Sequence, residues 1–190
     1  RKQQHECHFQ TGIRLIVEGI AILLLEVFRA AFLCQCWQSK LNNRIGDNME
    51  KAKVYFTDFR TSNGVGLPEK LKRLCRKAGL QTIDLENKFV AIKMHFGELG
   101  NIAYLRPNYA KAVADLVKEA GGKPFLTDCN TLYPGSRKNA LEHLDCAQEN
   151  GFNEITTGCH VIIGDGLRGT DDCIVPVEGG VYCKEAYIGR

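Results

Sequence analysis

The chain has 190 residues, 44% of them hydrophobic and 25% charged. That usage suits one core with a small appendage and excludes collagen, low-complexity sequence and wholesale disorder. Lys plus Arg number 25 against 22 Asp plus Glu, a net charge of +3, too small an excess to imply a nucleic-acid partner.

Residues 1–48 differ in character from the rest. Between Ile13 and Leu33 they are largely apolar, with Arg14, Glu18, Glu26 and Arg29 breaking the run. A charge at mid-bilayer costs about 2.5–3.5 kcal/mol on insertion scales, so four of them argue against a simple membrane span. At about 100° per residue the four fall within an arc of roughly 120°. The pattern therefore predicts an apolar N-terminal helix with one polar stripe, fit for a membrane surface or for burial in an assembly. A clean apolar core and a cleavage site, which a secretory signal needs, are missing. A second reading starts the natural coding sequence at Met49, since Met49-Glu50-Lys51-Ala52-Lys53-Val54-Tyr55-Phe56 is a short charged start running into a strand. Residues 1–48 are then upstream read-through, and membrane contact follows only if they are made. The expected division is an apolar helical extension over 1–48 and an α/β domain over 49–190, incomplete at its C-terminus.

From Met49 onward strands and helices alternate. Ala52–Phe59 reads as a strand, and Pro68 opens a helix whose apolar face is Leu71, Leu74, Cys75 and Ala78, stopped by Gly79. Lys88–Phe96 is a nearly continuous apolar strand. A glycine-rich loop leads to a helix from Pro107 with Tyr109, Ala112, Val113, Leu116, Val117 and Ala120 on its apolar face, ended by Gly121-Gly122. Lys123–Thr127 reads as a strand, Ser136–Asn150 as a helix and Cys159–Gly164 as a strand. Cys173–Val177 and Val181–Cys183, separated by Glu178-Gly179-Gly180, read as a hairpin. The sum is a mainly parallel sheet with helices on both faces and a C-terminal β-hairpin.

Six cysteines follow Met49 (Cys75, Cys129, Cys146, Cys159, Cys173 and Cys183), none in Cys-x-x-Cys spacing. Unpaired thiols of this kind fit a reducing, cytoplasmic setting. Cys159 and His160 are adjacent, so a strand turns them to opposite faces and joint metal ligation is not expected.

Ligands of open parallel sheets bind outside the carboxyl ends of the strands. Those ends are polar here: Thr57-Asp58, Lys93-Met94-His95, Thr127-Asp128-Cys129-Asn130 and Gly164-Asp165. Period two puts Lys93 and His95 on one side of their strand, with Glu98 and Asn101 in the loop beyond. Lys93, His95, Glu98 and Asp128 are the candidate catalytic groups, bringing a cation, a base and acids together, and Asn101, Asn130, Arg137 and Asp165 are candidate ligand-binding groups. The turn Asp128–Arg137 leads into a predicted helix N-terminus, where free N–H groups and Arg137 suit a small anion such as phosphate or carboxylate. Against this stand structural readings: Asp, Asn and Thr after strands are ordinary turn and cap formers, and Lys93 with Glu98 makes an ordinary ion pair.

Lys93-x-His95-Phe96-Gly97-Glu98-x-Gly100-Asn101, Tyr104-Leu105-Arg106-Pro107, Gly121-Gly122-Lys123-Pro124-Phe125-Leu126-Thr127-Asp128-Cys129-Asn130-Thr131-Leu132-Tyr133 and Val161-Ile162-Ile163-x-Asp165-Gly166-Leu167 closely resemble a family of uncharacterised iron-sulfur proteins. In that family an α/β domain of unknown function is joined to a C-terminal 4Fe-4S ferredoxin-type module. The resemblance covers Met49 to Arg190 as the N-terminal half of such a protein. It implies iron-sulfur electron transfer by the parent protein, with the downstream ferredoxin-type module and a redox partner as its partners. It implies no cluster ligand in this chain, because the Cys-x-x-Cys-x-x-Cys runs that would hold one are missing. The alternative is a non-redox metal- or anion-binding α/β enzyme or small-molecule binding domain, with His95, Glu98, Asp128 and Asp165 as metal ligands or acid-base groups.

Overall fold

The computed structural model describes residues 54–189 and, as backbone, the strands Gly12–Val17 (β1) and Ile20–Leu25 (β2). The remaining elements are α1 (Leu67–Lys77), β3 (Phe89–Lys93), α2 (Pro107–Glu119), β4 (Lys123–Asp128), α3 (Ala140–Glu149), the single turn α4 (Glu154–Thr157), β5 (Val161–Ile163), β6 (Asp172–Pro176) and β7 (Glu185–Gly189). The architecture is mixed α/β. A five-stranded sheet runs β2-β1-β3-β4-β5, and β6 pairs with β7 separately.

The parallel part is β3-β4-β5, with Ile92 opposite Leu126 and Asp128 opposite Ile163. β4 holds Pro124, which donates no ladder hydrogen bond. The proline is tolerated because β5 reaches only Leu126 to Asp128. Val90, Ile92, Met94 and Phe96 alternate into a core shared with Leu126, Ile163, Leu71 and Cys75 of α1, and Ala110, Val113 and Val117 of α2. Fully burying such aliphatic and aromatic side chains contributes about 1.5–3 kcal/mol each. Phe96 and Phe152 pack with ring centroids 5.3 Å apart, and both are fully buried. The described helices cover this face, while the alternate residues Phe89 and Ile162 are exposed.

Helix boundaries follow local chemistry. α1 and α2 each carry a proline in their first turn, whose missing N–H is an orphan there anyway. Gly79, at φ 101°, follows the C-cap of α1 and accommodates the left-handed turn. α3 starts at Ala140, not at Ser136 as the sequence suggests. Asn139 is the reason: its side chain accepts a hydrogen bond from the Glu142 N–H, the usual reward for an Asn at a helix start.

Three further expectations are corrected. Where a stripe-bearing helix was expected near the N-terminus, the described backbone forms strands: β1 pairs antiparallel with β2, Val17 opposite Ile20, and with β3, Arg14 opposite Lys93. Alternation of β-branched and aliphatic residues satisfies a strand as well as a helix, and pairing with the open edge of β3 decides between them. The remainder of that helix, including Glu26 and Arg29, lies outside the described residues. Residues 54–59, expected as the end of a strand, have no strand partner among the described residues, where β1 occupies that edge of β3. The second arm of the C-terminal hairpin is Glu185–Gly189, later than Val181–Cys183, with Pro176 opposite Glu185. Among the described residues no helix is long and apolar enough to cross a membrane.

Candidate functional site

The carboxyl ends of β3 and β4 bring a buried ionic cluster together. Asp128, 5% exposed, ends β4. Its Oδ1 accepts from Lys93 Nζ at 2.7 Å and from the Cys129 N–H at 2.9 Å, and its Oδ2 lies 3.2 Å from Arg137 Nη1. Arg137, 2% exposed, also donates from Nε to Glu98 Oε2 at 3.2 Å. The Ser136 N–H donates to Glu98 Oε1 at 2.7 Å, and the Tyr133 hydroxyl donates to Glu98 Oε2 at 3.2 Å. Charges run Lys93, Asp128, Arg137, Glu98 with alternating sign, so each buried charge has an opposite neighbour, as burial requires.

The turn predicted to hold an anion thus holds one of the protein's own. Glu98 fills the position beside the Ser136 N–H and the Arg137 fork. Burial pushes the Glu98 carboxyl up, but hydrogen bonds from Ser136 and Arg137 outweigh it and hold it down at about 2. The loop that carries Glu98 turns at Gly97, with φ 85°. A Cβ there would stand 2.7 Å from Asn150 Nδ2 and 2.8 Å from the Tyr104 ring, so close packing and conformation both call for glycine.

Two imidazoles flank the cluster. His95 Nδ1 accepts from the Gly97 N–H at 2.9 Å, which puts the proton of the neutral ring on Nε2. Burial, aided by Arg137 and Lys93, lowers its pKa to about 4. His143 of α3 is fully buried, packs edge-on against Phe96 at 5.7 Å, and has Nε2 3.7 Å from Asp128 Oδ2. Burial lowers its pKa to about 4 as well. Neither ring nitrogen of His143 has a hydrogen-bond partner among the described residues. Sequence reasoning passed over this residue, although Ala140, His143 and Ala147 recur at helical spacing and mark the inward face of α3.

Asn130 and Asp165 join the ends of β4 and β5. Asp165 Oδ1 accepts from both the backbone N–H and the Nδ2 of Asn130, each at 2.9 Å, and Asn130 Nδ2 also donates to the Gly166 carbonyl at 2.7 Å. Asn101 stays apart: it is exposed, and its side chain accepts from the Ala103 N–H at 2.8 Å in a local turn. Asp58 is apart too, paired with Lys70. Cys159 is buried and His160 is exposed against Glu154, on opposite sides as period two requires.

The described residues do not fit a 4Fe-4S cluster. The six cysteines after Met49 are free thiols lacking the Cys-x-x-Cys spacing, and among the described residues no three His, Cys, Asp or Glu gather as a metal site. The arrangement can hold and move protons: a neutral imidazole with its proton on Nε2, a half-exposed lysine, and two carboxylates locked by one arginine.

No curated protein and no solved structure matches the chain. A family model described as a domain of unknown function, DUF362, matches residues 90–190. That span covers every residue of the ionic cluster and just over half of the chain. The chain therefore belongs to the DUF362 family.

Proposed function

We propose that this chain is the α/β part of a 4Fe-4S ferredoxin-type iron-sulfur redox protein, in which the strand-end cluster binds a small substrate or cofactor while a ferredoxin-type module beyond these residues supplies electrons. One observation carries the reading. Of the residues that bear the iron-sulfur family resemblance, Lys93, Glu98 and Asp128 meet at Arg137 at the carboxyl ends of β3 and β4, with His95 beside them and Asp165 paired with Asn130 after β5. Ligands of parallel sheets bind at such ends. Reductions that take up protons with electrons need a proton donor beside the acceptor, and the half-exposed cationic Lys93 can supply one, with neutral His95 on the same strand end as a proton acceptor. The free thiols suit the reducing cytoplasm expected of such a protein.

Anaerobic purification of the full-length natural product, followed by iron and acid-labile sulfide analysis and electron paramagnetic resonance of the reduced sample, tests the proposal. Bound iron and sulfide in the full-length product, with none held by residues 49–190 alone, is the expected result. A full-length product free of iron overturns it.

A second reading, a non-redox domain binding a small anion, draws on Lys93. Its side chain is 39% exposed while its acid partner is buried, so the ammonium can reach a carboxylate or phosphate ligand. Anion binding by this chain without reductant, lost in Lys93→Ala, would favour that reading.

A further inference from the structure

A second ligand-sized depression lies apart from the ionic cluster and shares none of its residues. Lys70, Arg73, Leu74 and Lys77 of α1 stand at i, i+3, i+4 and i+7, which sets one basic stripe along the helix opposite residues 56–65. Between stripe and loop is a cavity of about 420 Å³, with the hydroxyl-bearing residues Thr57, Thr61 and Ser62 on its loop side. A neighbouring cavity of about 470 Å³ shares Phe56, Leu74 and Lys77 with it and is otherwise lined by Val54 and Tyr55. The first space is basic and hydroxyl-rich and the second is mainly apolar and aromatic, and they meet at Phe56.

The wall is pinned in place. Lys70 Nζ donates to the Asp58 carboxylate and to the Asp58 and Arg60 carbonyls, the carbonyls each at 2.7 Å, which ties the loop to α1. Arg73 is engaged by Glu69 at 3.1 Å. Arg60, 94% exposed, makes only a long ion pair with Asp58, at 3.8 Å, and Lys77 makes no ion pair among the described residues. Phe56 is 69% exposed, a large aromatic surface with no structural duty in the core.

We propose that these joined cavities bind a mononucleotide, its phosphate between Arg60 and Lys77 with the loop hydroxyls as donors, and its base against Phe56. Each part of the ligand has its own chemistry on the wall. Lys77, the weakly paired Arg60 and three hydroxyl-bearing residues match a phosphate; an exposed aromatic beside apolar Val54 and Leu74 matches a planar ring, since base-aromatic stacking does not depend on which base is present. Cavities of this size lie within the range of small-molecule sites.

Titration calorimetry of the 190-residue chain with a panel of AMP, GMP, CMP, UMP and FMN tests it, with adenosine and inorganic phosphate as halves of the ligand. At least one mononucleotide is expected to bind, at least tenfold more tightly than either half. Arg60→Ala/Lys77→Ala is expected to weaken it at least tenfold, and Phe56→Ala to weaken the nucleotide while leaving inorganic phosphate unchanged. These side chains are exposed, so the variants should keep the parent's thermal midpoint; the single variants Arg60→Ala and Lys77→Ala serve if the double one does not. No binding by any member, binding indifferent to the cation substitutions, or inorganic phosphate binding as tightly as the nucleotide overturns the proposal. Loss of Lys93 leaves this site untouched, so its result is separable from that of the strand-end site.

Discussion

Arg137 bridges Asp128 and Glu98, Nη1 lying 3.2 Å from Asp128 Oδ2 and Nε 3.2 Å from Glu98 Oε2, with the guanidinium almost wholly buried. One rigid fork therefore ties the end of β4 to the loop after β3. Arg137→Ala would leave two carboxylates in a poorly hydrated site without their shared cation, and breaking a buried pair from one side costs about 3–5 kcal/mol. The expected outcome in urea unfolding is a loss of that size. Arg137→Lys is expected to recover only part of it, because an ammonium lacks the fork that reaches both acids. A loss below about 1 kcal/mol for Arg137→Ala would mean that the bridge is not formed in solution.

Stability is expected to fall steeply on mild acidification. The pKa values of His95 and His143 are depressed from 6.5 to about 4 by burial, so between those values the unfolded chain binds protons that the folded one does not. Their contribution is complete above pH 6.5 and is lost as pH falls towards 4; each histidine steepens the slope by up to about 1.4 kcal/mol per pH unit. Glu98, depressed from 4.5 to about 2, extends the loss to lower pH. Denaturant midpoints from pH 7.5 to 3.5 measure the slope, and His143→Gln is expected to flatten it between pH 6.5 and 4. An unchanged slope in that variant would show that His143 is not buried as a neutral ring.

At Gly97 two effects add. The residue has a positive φ, which an L side chain adopts at a cost of about 1–2 kcal/mol, and a Cβ would collide with Asn150 and Tyr104. Gly97→Ala is expected to destabilise by about 2 kcal/mol or more and to disturb the Glu98 loop, read as a downfield or upfield move of the Ser136 amide resonance when its acceptor shifts. A neutral substitution would place the loop differently from the structure.

The placement of β1 between β2 and β3 can be tested with one proline. In a strand hydrogen-bonded on both sides, Pro removes a ladder bond and crowds its neighbour. Ile16→Pro, opposite Ala91 of β3, is expected to lower stability by about 3 kcal/mol. An unaltered thermal midpoint would detach the N-terminal hairpin from the sheet.

Asp165 and Asn130 give a prediction confined to one turn. Removing the carboxylate in Asp165→Ala takes away the acceptor of both Asn130 donors, and a buried N–H left unpaired costs about 1–3 kcal/mol. Hydrogen exchange of the Asn130 amide is expected to quicken in this variant, while amides in α2 change only as global stability does. Unchanged protection at Asn130 would count against the pairing.

Much of the fold is written locally. Pro68 and Pro107 near the starts of α1 and α2, the 3.6-residue spacing of Leu71 with Cys75 and of Val113 with Leu116 and Val117, and the apolar alternation of Val90, Ile92 and Met94 each fix an element through its own neighbours in sequence. The polar strand ends were legible for the same reason, since strands that lead into helices stop where polar turn formers begin. The boundary of α3 is not legible locally, because Ser136 and Asn139 are comparable caps and only the bond of Asn139 to the Glu142 N–H decides between them.

Other features depended on long-range packing. Whether the apolar N-terminal residues are strand or helix was settled by the free edge of β3, some 75 residues away in the chain, and that choice in turn left residues 54–59 without a strand partner among the described residues. Arg137 is legible as a cation at a turn, but its counter-ions come from Glu98, 39 residues earlier, and from Asp128, so only the tertiary structure shows it as a buried bridge. His143 acquired meaning only when α3 turned it under Asp128. Residue type and spacing fix what each segment prefers, because those preferences rest on neighbours a few bonds or one helical turn away; which charges meet in a dry interior is decided by the topology that encloses them, since desolvation makes a pair out of groups that water would otherwise keep apart.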